Sequence, residues 1–176
     1  MIFTPTPIPG AFVVDPERFA DERGFFARSF CQREFGAQGL TTEWAQTNIS
    51  FNRERHTLRG MHWQAEPHHE AKLVRATAGA VFDVILDLRP DSPAYKRHFS
   101  VELSAENRRM LYVPPLCAHG FLTLAPATEL LYYISKFFEP AAGRGVRFDD
   151  PAFAIPWPAA PAVINERDRT YPDFAG

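Results

Sequence analysis

Three side chains in and just beyond the stretch TLRGMHWQ could together perform acid–base chemistry. Arg59 and His62 lie within this stretch, and Lys72 opens the next apolar run. An imidazole titrates near neutral pH and can accept a proton. An ammonium can stabilise the oxyanion formed from a carbonyl, and the forked donors of Arg59 or Arg23 can hold a phosphate. If these side chains share one cavity, the sequence predicts a site for an anionic or carbonyl-bearing ligand.

The histidines also raise the alternative of a metal centre. The candidate ligands along the chain are His62, His68, His69, Glu70 and His119. A histidine-rich metal site in a small barrel usually begins with His-x-His, whereas His62 is followed by Trp63 and Gln64, so the second ligand is missing. We therefore predict that this site holds no metal.

His119 in YVPPLCAHGF and the paired tyrosines in LLYYISKFF are further candidates, and the residues alone leave their roles open. His119 follows a Pro-Pro turn, and a structural role fits it as well as a catalytic one. Tyr132 and Tyr133 point to opposite faces of a predicted strand, so at most one of them can face a given cavity. A phenol that faces the cavity could act as a general acid, and the alternative is cross-strand packing.

The elements that must position these residues are predicted to be strands. From Leu40 onward, apolar runs recur every 8–12 residues with turn signals between them, which is typical of a sandwich or barrel. In AVFDVILDLRP, alternate residues from Phe82 to Leu88 share one face and those from Val81 to Asp87 share the other. The preceding Ala78-Gly79 predicts a tight reversal between two strands.

Two segments depart from the strand pattern. CQREFGAQG predicts a short helix that ends at a glycine. From Glu139 onward Pro, Ala and charged residues become frequent and the periodicity is lost. Phe148, Phe153 and Trp157 are nevertheless too apolar for a free tail, so this segment is expected to pack back on the barrel. Because the chain has no repeats and no linker, we predict one domain over residues 1–176.

Composition excludes several classes of protein. The chain has 45% hydrophobic residues and a net charge of −2, so it lacks the basic footprint of a nucleic-acid binder. No apolar run approaches the roughly 18 residues of a membrane span, and the amino-terminal residues lack the pattern of a secretory signal. Cys31 and Cys117 match no metal or redox spacing. We therefore expect reduced thiols and a cytoplasmic location.

Eight motifs in order along the chain resemble the dTDP-4-dehydrorhamnose 3,5-epimerase family. They are DERGFF, QTNISFN, TLRGMHWQ, AKLVRATAGAVFDVILDLRP, YVPPLCAHGF, LYYISKFFEP, DDPAFAIPWP and NERDRTYPDF. The resemblance runs from about Phe12 to Phe174. It implies an all-β, cupin-type double-stranded β-helix (a jelly-roll barrel) with short peripheral helices, which forms a homodimer and uses no metal or cofactor. The implied reaction inverts C3, C5 or both in a nucleotide-diphospho-4-keto-6-deoxyhexose through an enolate.

The same resemblance implies a role for individual residues. His62 is the base, Asp168 in NERDR orients and supports it, Tyr132 is the proton donor and Lys72 stabilises the enolate oxygen. Asp83 is expected to orient His119. The positions implied to bind the nucleotide-sugar are Arg23, Gln46, Asn48, Arg59, His119 and Arg167.

Three positions depart from the family pattern. Arg28 and Gly143 stand where glutamate is usual, so the preference for nucleobase and sugar is open. Phe138 replaces a frequent tyrosine, so the choice of inverted carbon is open as well. Two alternatives also stay open. One is a metal-dependent cupin dioxygenase or isomerase, and the other is a cupin that binds a sugar nucleotide without turnover.

Overall fold

The computed structural model describes residues 1–175, so residue 176, the last of the predicted domain, lies outside the described residues. In chain order the strands are β1 (Ile2–Pro5), β2 (Phe12–Asp15), β3 (Arg18–Asp21), β4 (Gly24–Ala27), β5 (Gln46–Asn52), β6 (Leu58–Gln64), β7 (Lys72–Ala78), β8 (Ala80–Asp87), β9 (His98–Ser104), β10 (Met110–Val113), β11 (Cys117–Thr123), β12 (Thr128–Ile134) and β13 (Gly143–Gly145). The helices are α1 (Gln32–Ala37) and α2 (Glu166–Arg169), with a 3-10 turn at Pro140–Ala142.

The strands form two large antiparallel sheets and one separate hairpin. The six-stranded sheet has the order β1-β2-β10-β7-β12-β5, and the five-stranded sheet has the order β13-β6-β11-β8-β9. Strands β3 and β4 pair only with each other. The predicted all-β architecture is confirmed, and the two sheets face each other as in a sandwich.

The two-residue alternation of β8 builds the core on both faces of its sheet. Val81 and Ile85 point between the two sheets, where they join a buried cluster that includes Val74 and Leu111. Phe82, Val84, Leu86 and Leu88 point to the other face, as predicted. Those residues pack against Val146, Phe153, Ile155 and Trp157 of the carboxyl-terminal segment. That segment therefore packs back on the sheet, as its apolar residues predicted.

Outside the sheets, α1 closes one side of the six-stranded sheet. Phe35 of α1 is fully buried, and it lies with Phe30, Trp44 and Tyr133 in an aromatic cluster on the face away from the other sheet. Because Tyr133 faces this cluster, its neighbour Tyr132 faces the inter-sheet core. Within residues 1–175, neither helix has the length and apolarity needed to cross a membrane.

Candidate active site

A histidine–carboxylate pair joins β6 to α2. His62 Nε2 lies 2.6 Å from Asp168 Oδ1, and the backbone N–H of Gly60 donates to Asp168 Oδ2 at 3.2 Å. Asn165 caps the short helix by accepting from the Asp168 N–H at 2.6 Å, which fixes the carboxylate. Asp168 is fully buried, whereas the His62 side chain is 40% exposed. A buried carboxylate on one ring nitrogen orients the imidazole and stabilises its protonated form, so the other nitrogen can take up a proton.

Two facing glycines bring the strands of the site unusually close together. Gly60 has φ +127°, and a Cβ built on it would lie 2.4 Å from Gly120 Cα on β11. The pairing of these strands shifts register between His119 and Phe121. Because of this irregularity, Arg59 and His62 line the same cavity, although a strict two-residue alternation would place them on opposite faces.

Replacing Gly60 with alanine is expected to destabilise the protein by about 2 kcal/mol or more, because a Cβ is strained at that φ and clashes with backbone. Gly36 in α1 is the matched control, since its Cβ would lie 3.5 Å from Thr42 Cγ2 in ordinary contact. Gly36→Ala should stabilise by about 0.5–1 kcal/mol through helix propensity. Urea unfolding of both variants measures the difference. Equal free energies of unfolding would contradict the close approach of β6 and β11.

A second histidine–carboxylate pair lies across the strand register from the first. His119 is the cross-strand partner of His62, and its Nε2 lies 2.9 and 3.0 Å from the two carboxylate oxygens of Asp83. Asp83 is fully buried, and burial raises the pKa of its carboxyl while the adjacent His119 opposes that rise. The geometry thus orients His119 through Asp83.

Tyr132 contributes a phenol from the opposite sheet. Its ring packs edge-on against His119, with centroids 6.1 Å apart. Burial, with a smaller contribution from the negative charge of Asp83, raises the pKa of Tyr132 above its ordinary value. The phenol is therefore protonated at every pH at which the protein would work, and it can donate a proton but not accept one.

Lys72 is the first residue of β7, in the sheet opposite the two strands that carry His62 and His119. Its Nζ donates to the backbone oxygen of His62 at 3.0 Å and contacts Glu70 Oε1 at 3.0 Å. Arg59 is held from the other side, since its Nε donates to Asn52 Oδ1 at 2.8 Å. These contacts fix the positions of two cationic side chains in the site.

The polar side chains line two adjoining hollows of about 320 and 230 Å³. Both hollows are lined by Asn48, His62, Lys72 and Ile134. The larger one is also lined by Arg59, His119, Tyr132 and Asp168. The smaller one is also lined by Gln64, Glu70, Phe138, Gly143, Arg144 and Arg167. An imidazole, a protonated phenol and several cationic side chains thus surround a space of the size that a small ligand needs.

Two of the predicted site residues lie outside these hollows. Gln46 accepts a hydrogen bond from the Phe138 N–H at 2.7 Å, and Phe138 lines the smaller hollow. Arg23 is on the exposed β3–β4 hairpin, where it pairs with Asp21 at 2.5 Å. Within one chain, Arg23 is therefore separate from the other predicted residues.

Sequence reasoning did not assign to this site several residues that the structure places there, and it considered Glu70 only as a candidate metal ligand. Gln64, Glu70 and Arg144 line the smaller hollow, and Asn165 fixes Asp168. Gln64 lies two residues beyond His62 on one strand, and this spacing alone would have placed both on one face. The position of Arg144 follows from the pairing of β13 with β6, which no local sequence signal indicates.

The fold and this site define a cupin-type jelly-roll enzyme. A model of the dTDP-4-dehydrorhamnose 3,5-epimerase family matches residues 5–176. A dTDP-4-dehydrorhamnose 3,5-epimerase of Shigella flexneri is 40% identical over 93% of this chain and 90% of its own length. The chain belongs to the dTDP-4-dehydrorhamnose 3,5-epimerase family, and it is therefore an isomerase, as its motifs predicted.

Solved structures of relatives have the same architecture. The dTDP-4-dehydrorhamnose 3,5-epimerase of Bacillus anthracis, with TDP and PPi bound, superposes with a TM-score of 0.94 at 37% identity, covering 98% of this chain and 99% of that one. The epimerase of Legionella pneumophila, in complex with dTDP-4-keto-L-rhamnose, superposes with a TM-score of 0.88 at 33% identity over 95% of this chain and 89% of that one. The predicted cupin-type fold is thereby confirmed.

Proposed function

We propose that this chain epimerises a dTDP-linked 4-keto-6-deoxyhexose, with His62 as the base that removes a proton from the sugar and Tyr132 as the acid that returns one. The observation that carries the proposal is that a base and an acid on opposite sheets line one cavity. The ring nitrogen of His62 that faces away from Asp168 removes a proton from a carbon beside the C4 ketone. The electron pair moves to the ketone oxygen, and the resulting enolate is stabilised by Lys72. Tyr132 then returns a proton to the opposite face of that carbon.

The cationic side chains of the cavity support a diphosphate-linked substrate. Arg59, Arg144 and Arg167 line the two hollows, and guanidinium groups match the geometry of phosphate oxygens. The relatives' structures hold TDP in one case and a dTDP-linked keto sugar in the other. We assign Asn48 and His119 to the sugar, because both line the hollow that Tyr132 faces.

We further propose that the functional unit is a cytoplasmic homodimer of single-domain chains. Phe19 and Phe26 are 65% and 72% exposed on the β3–β4 hairpin, and neighbouring exposed aromatic side chains favour a protein interface. Arg23, on the same hairpin, needs a second chain to meet a substrate. Free thiols at Cys31 and Cys117 support a reducing compartment, and burial raises the pKa of Cys117 to about 12.

Proton NMR of dTDP-4-keto-6-deoxyglucose with the enzyme in deuterated buffer tests the proposal, with and without a chelator. We expect the C3 and C5 proton signals to be lost, and we expect the chelator to leave the rate of each loss unchanged. Exchange at C3 alone would indicate a mono-epimerase. Phe138→Tyr would then be the first variant to measure, because this chain has phenylalanine where tyrosine is frequent in the family. Exchange that the chelator stops would favour the metal-dependent alternative. Binding without exchange at either carbon would favour a non-catalytic cupin.

A further inference from the structure

Glu70 and Lys72 form a buried ion pair at the wall of the cavity. Lys72 Nζ lies 3.0 Å from Glu70 Oε1, and the side chains are 11% and 5% exposed. An ammonium has three N–H donors. One points to Glu70 and a second to the backbone oxygen of His62 at 3.0 Å. Two anchors at fixed positions leave one N–H for a ligand, and they restrict the directions in which it can point.

The pair is an unfavourable arrangement if stability is its only purpose. Removing two charges from water costs about as much as their attraction returns, and well-packed apolar residues are often as stable. The second carboxylate oxygen, Glu70 Oε2, is buried and has no hydrogen-bond partner among residues 1–175, which adds a further cost. A buried carboxylate oxygen without a partner in a cavity wall calls for an explanation, and a functional role for the pair supplies one.

We infer that Glu70 is a positioning residue for Lys72, and this inference rests on the proposed function. Its carboxylate holds the ammonium beside the strand that carries the base, so the remaining N–H meets the oxygen on which the enolate charge develops. His62 and Lys72 are linked through the His62 carbonyl, so the base and the enolate stabiliser keep a fixed spacing. Glu70 itself takes no part in proton transfer.

Steady-state kinetics of Glu70→Ala and Glu70→Gln with dTDP-4-keto-6-deoxyglucose test the inference. Misplacing a catalytic group by about 1 Å costs about 10²-fold in rate, so we expect that loss of kcat in Glu70→Ala with a nearly unchanged KM. Glutamine keeps the size and one acceptor oxygen, and we expect it to restore kcat to within about tenfold of the parent. Glu66→Gln, an exposed position on the same loop, is the matched control and should leave kcat unchanged.

The possible outcomes separate positioning from a structural role. A Glu70→Ala variant with the parent's kcat overturns the inference, and so does a loss confined to KM in both variants. If Glu70→Ala melts early, its kcat is measured below its own melting temperature, where a loss of kcat with an unchanged KM still separates positioning from loss of the fold. Lys72→Met is measured in parallel. Retained activity in Lys72→Met overturns the enolate role of Lys72 itself, whereas an inactive Lys72→Met beside an active Glu70→Ala overturns only the inference about Glu70.

Discussion

His62→Ala is expected to lower kcat for epimerisation by about 10³-fold, because it removes the proposed general base, and such groups contribute about 10²–10⁴-fold. Exchange of the substrate's C3 and C5 protons with solvent should be lost to the same degree, because the proposed mechanism assigns the removal of these protons to His62. Proton NMR in deuterated buffer measures both quantities. Residual exchange within about tenfold of the parent rate would exclude His62 as the base.

The alanine variant also leaves Asp168 buried without its main partner, which costs stability through an unpaired charge. His62→Gln is therefore the second variant, because its amide nitrogen can reach the position of the ring Nε2 and still donate to Asp168. Both variants should be inactive, but the glutamine variant should melt closer to the parent. Asp168→Asn completes the set. It keeps the shape of the pair while removing the charge that stabilises the imidazolium, so we expect a smaller loss of kcat with little change in melting temperature.

Tyr132→Phe is expected to separate proton exchange from inversion. His62 can still remove a substrate proton and return a solvent deuteron to the same face, so exchange should continue. Without the phenol no proton arrives at the opposite face, and product formation should fall by about 10²-fold or more. Because burial raises the pKa of Tyr132, the loss should not depend on pH below about 9.

Tyr133→Phe provides the control for that experiment. Tyr133 is the chain neighbour of Tyr132, but it packs against Phe30 and Trp44 on the far face of the sheet. We expect unchanged product formation in this variant. Two results would contradict a proton-donor role for Tyr132. One is an equal effect of the two substitutions, and the other is weaker substrate binding by Tyr132→Phe with normal turnover.

The local sequence predicted the parts of the fold that short-range patterns encode. Alternation in β8 placed Val84 and Ile85 on the faces that they occupy, and Gly79 placed the turn between β7 and β8. Local patterns could not show that Asp168 reaches His62, because 106 residues separate them in the chain, and only the family resemblance paired them. They also could not show that Glu70 anchors Lys72, because an acidic residue in a loop is usually solvated.

The location of the proposed acid and the proposed base on different sheets links stereochemistry to the hydrophobic core. Tyr132 belongs to the six-stranded sheet and His62 to the five-stranded sheet, and residues such as Val74 and Ile85 fill the space between them. The thickness of this apolar layer sets the gap in which a sugar ring must fit. Evolution could therefore shift which carbon lies between donor and acceptor by resizing aliphatic side chains, while every polar group of the site stays the same.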